Sequence, residues 1–205
     1  MSDSRIDLRI AELLAARLCH ELVSPIGAIN NGVELLEDDP EFATDAAGLI
    51  AQSAVQATRR LQFYRIAYGS TAPIAVDLGR NAALDLFADG KVACDWPEAA
   101  APAAWIKLAC NLLLVAAEAL PRGGRLTLAA SAATEIRVEI RAEGEGARLP
   151  AHMPDALTGS LADEAVDARS VQAVFTGALA RRAGGRPSVE TLPSGGFVFR
   201  LASAD

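Results

Sequence analysis

Among 205 residues only two are histidines and three are cysteines, so the side chains able to do covalent chemistry are few. Cys19, Cys94 and Cys110 lack C-x-x-C spacing and sit inside apolar patterns. They are expected to be reduced, buried thiols and not a disulfide or zinc framework. His152, beside Met153-Pro154, reads as an exposed loop imidazole. His20 differs. It lies two positions after Leu18 and two before Leu22, off the apolar stripe of its segment, and should therefore face solvent. Ser24, Gly27 and Asn31 continue a small, polar strip along the same face. A neutral imidazole open to water keeps one ring nitrogen free as a nucleophile. Glu21 is placed to hold such a ring or accept its proton, and Pro25 removes a helix hydrogen bond beside it. Lone surface histidines are also ordinary, so spacing alone leaves a nucleophile and a plain surface imidazole both open.

Two regions must position these groups. From residue 5 to 68 the pattern is helical. Ile10, Leu14, Leu18, Leu22, Ile26, Ile29, Val33 and Leu36 recur at three- or four-residue steps, as do Ile50, Ala54, Ala57, Leu61, Tyr64 and Tyr68. Glu37-Asp38-Asp39-Pro40-Glu41 breaks the run, because proline disfavours helix at Asp39. Two long helices with so short a link form an antiparallel hairpin, and a lone hairpin cannot bury both stripes. The expected solution is a homodimer whose paired hairpins make a four-helix bundle.

Gly69-Ser70-Thr71-Ala72-Pro73 opens the expected linker, 69–76, and divides a hairpin domain, 1–70, from a second domain, 71–205. Beyond it the pattern predicts helices over 77–89, 102–120 and 169–183. It predicts strands over 91–96, 125–131, 134–142, 188–192 and 197–201, with loop from 143 to 168. That order gives a mixed sheet with helices on one face. A formal charge of −7 argues against a nucleic-acid partner. No stretch has the length of a membrane span, and the first residues lack a signal-peptide pattern, so the expected location is the cytoplasm.

Residues 20–29, His-Glu-Leu-Val-Ser-Pro-Ile-Gly-Ala-Ile, resemble the H-box of sensor histidine kinases, whose histidine carries a phosphoryl group. The second domain is similar in element order to the kinase ATP-binding module, the Bergerat fold. Asn111-Leu112-Leu113 resembles the start of the N-box, Gly144 and Gly146 resemble the glycines of the Asp-x-Gly-x-Gly box, and Gly184-Gly185-Arg186 resembles the C-terminal segment. Three departures fall in register. Val115 stands where the family has its metal-ligating asparagine, and Ala142 where it has the adenine-reading aspartate. Ser170-Val171-Gln172-Ala173 stands for the phosphate-approaching glycines. Without those groups the fold is expected not to bind ATP.

A phosphoacceptor hairpin joined to such a degenerate α/β sandwich resembles the alphaproteobacterial histidine phosphotransferases, the ChpT family. The run Leu18 to Gly32, with its Gly-Ala-Ile-Asn-Asn-Gly, is particularly similar. The resemblance implies a phosphorelay enzyme without autokinase activity. His20 would take phosphoryl from the receiver aspartate of a hybrid histidine kinase and pass it to response-regulator receivers. Glu21 would orient or deprotonate the ring, and Ser24 would line the approach. Val23, Gly27, Asn30 and Asn31 would dock the receiver. No cofactor of its own is implied, because Mg²⁺ would be held by the receiver partner. An ATP-dependent histidine kinase, a non-enzymatic dimeric scaffold and a receiver phosphatase are the alternatives.

Overall fold

A computed structural model describes residues 8–38, 40–69, 74–97, 103–131 and 137–203. Expectations for the first turn at residues 5–7, the break at Asp39 and the linker core 70–73 lie outside the described residues. So do the boundary between 70 and 71, the helix opening at Pro102 and the connection 132–136.

The two heptad-like stripes fold as α1 (Leu8–Asp38) and α2 (Ala43–Tyr68), joined through a 3-10 turn at Pro40–Phe42. They run antiparallel: Glu21 faces Arg60 near one end, and Gly32 faces Ile50 and Ala46 near the other. A Cβ on Gly32 would lie 2.6 Å from Ile50 Cγ1 and 3.2 Å from the Ala46 carbonyl, so this glycine lets the helices close up. The stripe is only partly covered. Ala57 is buried, but Ile26, Val33, Leu36 and Leu61 are exposed, with Leu61 at 53%. The exposed half is the surface that one hairpin alone cannot bury.

Beyond the hairpin come α3 (Val76–Phe87), β1 (Val92–Asp95), α4 (Ile106–Ala117), β2 (Gly124–Ser131) and β3 (Arg137–Glu143). They are followed by α5 (Met153–Thr158), α6 (Val171–Arg182), β4 (Gly185–Thr191) and β5 (Phe197–Ser203). The sheet order is β1-β2-β3-β5-β4, with β1–β2 parallel and the other pairs antiparallel. The edge position of β4 tolerates Pro187. Val138, Ile140 and Ala142 on β3 meet Leu201, Phe199 and Phe197 on β5, and this face packs in one core with α4 and α6. The opposite face carries a polar ladder in which Glu139 pairs with Arg141 and Arg200, and Arg200 with Glu190. Burial opposes ionisation of Glu139, but hydrogen bonds from Arg200 and Arg141 outweigh it and hold the carboxyl below its ordinary range.

A helical hairpin followed by a mixed sheet with helices is as expected, with local corrections. Residues 143–168 are not all loop. They contain α5, opened near Pro154 and stopped at Gly159, with Met153, Ala156 and Leu157 buried at helical spacing. Of the three cysteines only Cys110 is buried; Cys94 is intermediate and Cys19 exposed. Cys19 follows the apolar pattern, but on the uncovered side of α1. His152 is half-buried at the N-cap of α5, and its Nε2 is buried without a hydrogen-bond partner.

The core does not stop at the hairpin. Phe63, Ile66 and Ala67 of α2 belong to the same buried cluster as Ile106, Leu113 and Phe199. A hydrogen-bonded network crosses the same junction. Asn111 Nδ2 donates to the Ala67 carbonyl at 2.7 Å and to the Lys107 carbonyl at 2.8 Å, while Gln172 Nε2 donates to Asn111 Oδ1 at 3.0 Å. The Tyr68 hydroxyl donates to Gln172 Oε1, and Thr176 Oγ1 to the Gln172 carbonyl at 2.7 Å. Each polar side chain of this network thus has a partner, which is what keeps such a network from being a cost.

Candidate functional site

The site begins with the helix that carries it. A proline inside α1 has no N–H to give the carbonyl four residues earlier, and for Pro25 that carbonyl belongs to Glu21. Arg60 of α2 supplies the missing donor: its Nη1 reaches the Glu21 carbonyl at 2.7 Å and Glu21 Oε2 also at 2.7 Å. One arginine thereby repairs the broken backbone bond and holds the neighbouring carboxylate. Tyr64 borders the pair. Burial first, and the Glu21 carboxylate second, push its phenol up to about 12.

His20 is exposed. It opens on a cavity of about 490 Å³ lined by Ala16, Arg17 and Glu21 of α1 and by Ala168 and Arg169 just before α6. Ser24 and Asn31 are exposed on the same face, and Gly27 between them is half-buried. A Cβ on Gly27 would meet nothing within 4 Å, so nothing inside this chain requires the glycine. Val23, at 68% exposure, and Asn30 flank the strip. The expected residues therefore gather on one open face, except that the Glu21 carboxylate turns to Arg60. Among the described residues no hydrogen bond joins Glu21 to His20.

Two cations at this site were not singled out by the sequence reading. Arg60 was signalled indirectly, since Pro25 demands a donor from elsewhere, but the sequence does not say which. Arg17, three residues before His20, pairs through Nη2 with Glu118 Oε1 at 2.7 Å across the junction to the second domain. Nearby Arg9 donates to the Val166 carbonyl at 2.8 Å, so α1 is tied to the second domain at two levels.

The residues at which the sequence departs from the kinase pattern are taken up inside the chain. Val115 and Ala142 are fully buried in hydrocarbon. Ser170, at the N-cap of α6, donates its backbone N–H to Asp167 Oδ1 at 2.9 Å, and Gln172 is consumed by the junction network. Asn111, which resembles the N-box opening, is engaged by the Ala67 and Lys107 carbonyls and by Gln172. Among the described residues no group of three or more His, Cys, Asp or Glu is arranged to hold a metal ion. No described helix is long and apolar enough to cross a membrane.

Residues 79–194 match the family description of the histidine phosphotransferase C-terminal domain. Over 189 residues the chain is 39% identical to the protein phosphotransferase ChpT of Brucella abortus (strain 2308), covering 89% of this chain and 90% of that protein. A solved bacterial phosphotransferase superposes with a TM-score of 0.83 at 36% identity, covering 97% of this chain and 98% of the other.

Proposed function

The chain belongs to the histidine phosphotransferase family and is a phosphorelay phosphotransferase; from that premise we propose that His20 is its phosphoacceptor. An imidazole nitrogen of His20 attacks the phosphorus of an aspartyl phosphate on a hybrid-kinase receiver. The N–P bond forms as the P–O bond to the aspartate carboxylate breaks. The return reaction delivers the group to the aspartate of a response-regulator receiver. Such in-line transfers depend mainly on positioning and charge neutralisation. The receiver brings the Mg²⁺.

The observation that carries the reading is the uncovered His20 face. A mid-helix glycine costs about 1 kcal/mol relative to alanine, and Gly27 has no packing reason inside the chain. Close approach of a partner supplies one. Val23, Gly27, Asn30 and Asn31 form that docking face, with Ser24 lining the approach. Glu21 reaches the ring only by leaving Arg60, so its part in orienting or deprotonating the imidazole is exercised when a receiver is bound. The exposed stripe of Ile26, Val33, Leu36 and Leu61 supports a homodimeric four-helix bundle. Units 1–70 and 71–205 then act as phosphotransfer hairpin and companion domain, in the cytoplasm. Hydrocarbon at Val115 and Ala142 supports the absence of ATP binding, and the comparisons do not favour the kinase or scaffold readings.

The test mixes the protein with a phosphorylated receiver and magnesium. Label should pass to the wild type and be lost in His20→Ala; label retained by His20→Ala, or none reaching the wild type, defeats the assignment.

A further inference from the structure

Glu118 sits where a carboxylate is least welcome. It caps the C-terminus of α4, at the negative end of the helix dipole. Burial raises its pKa, and the Arg17 guanidinium beside it is the largest influence in the other direction. The side chains of the pair are 22% and 21% exposed, so both ions have given up most of their water. Desolvating an ion pair at an unfavourable helix end does little for stability. It does fix the guanidinium. Arg17 lies three residues before His20 on one helix face, and both line the same cavity.

The relay chemistry creates a need at this point. While phosphoryl is being carried, the donor receiver and its metal have left and the acceptor has not arrived. The added group carries about two negative charges, next to the Glu21 carboxylate. Arg60 is already committed to Glu21. Glu118 engages Arg17 through Nη2, and the guanidinium fork carries further N–H donors. We propose that Arg17 is the cation that receives the phosphoryl charge on His20, and that Glu118 is the positioning residue that holds it there. This rests on His20 being the phosphoacceptor.

A small phosphodonor separates this role from partner docking. With phosphoramidate, a ring nitrogen of His20 attacks phosphorus, the new N–P bond forms, the P–N bond to the leaving group breaks and ammonia departs. The ring then loses its proton to water. No receiver and no protein interface take part.

The full-length protein is incubated with phosphoramidate and phosphohistidine formation is followed by phosphorus NMR. Arg17→Gln keeps the stem and a donor toward Glu118 but removes the charge; it should lower the maximal rate by about tenfold or more. Arg17→Lys should recover part of the loss. Glu118→Ala, on a different element, should slow labelling by about threefold and keeps the test informative if the Arg17 variants fold poorly. Arg17→Gln labelled as fast as wild type by phosphoramidate overturns the proposal, even if receiver-driven transfer is slowed. Glu118→Ala at the wild-type rate overturns the positioning role. The phosphoacceptor reading fails separately, if wild type takes no label at His20 from a phosphorylated receiver.

Discussion

The outer face of α1 and the interior between α4 and α6 are opposite uses of polar residues. On α1, His20, Ser24 and Asn31 stand uncovered around a glycine with nothing packed on it. Between α4 and α6, Asn111, Gln172 and Thr176 are fully buried and bonded to one another and to α2. The first arrangement leaves bonding capacity open for a partner; the second spends it all internally. Polar residues that lie beside a kinase-like sequence motif are here the fastening between hairpin and companion domain. The difference teaches that polar side chains join two regions when their bonds are closed inside the chain, and stay available to a partner when they are not.

The largest effect should come from opening the closed network. Asn111→Leu leaves the Gln172 amide and the Ala67 carbonyl without their partner, at a cost of about 3 kcal/mol. The urea midpoint should fall while the slope stays constant, and an unchanged midpoint would mean the network does not fasten the two parts. A glycine pair on α1 sharpens the contrast next. Gly32→Ala drives a Cβ to 2.6 Å from Ile50 and should destabilise by about 1–3 kcal/mol. Gly27→Ala meets nothing and should leave the stability unchanged or raise it by up to about 1 kcal/mol, while receiver-driven transfer slows several-fold. Equal behaviour of the two in melting and transfer assays would erase the distinction between packed and displayed faces. The smallest effect belongs to the outer sheet face. Because Glu139 has a lowered folded-state pKa, its contribution is present above the ordinary carboxylate pKa and is lost as pH falls through the lowered folded value. Glu139→Gln should therefore flatten the acid limb of a stability–pH curve, and leave its shape near neutrality alone.

Much of this was legible in the sequence, for a physical reason. Stripes such as Leu14-Leu18-Leu22 and alternations such as Val138-Ile140-Ala142 are local, and burial enforces them. The H-box strip was legible because its residues share one helix. Cys19 was misjudged because an apolar pattern reports what a surface wants to bury, and in a single chain that surface is uncovered. The helix α5 escaped because six residues hold too few turns to show a period. Arg60 and Arg17 escaped for another reason. Their partners lie 39 residues away in one case and across the junction in the other, and no local pattern encodes who will answer an orphaned carbonyl.

The core that runs from Phe63 and Ile66 into α4 and the sheet has a consequence for how partners are gripped. Had the halves been joined by a slack tether, a visitor touching both would bind each in turn and lose entropy twice. Fused as they are, the halves offer one bidentate template of fixed spacing, so the second contact follows the first at high effective concentration. Selectivity can then be read as a ruler: a visitor of the wrong breadth engages one half and departs.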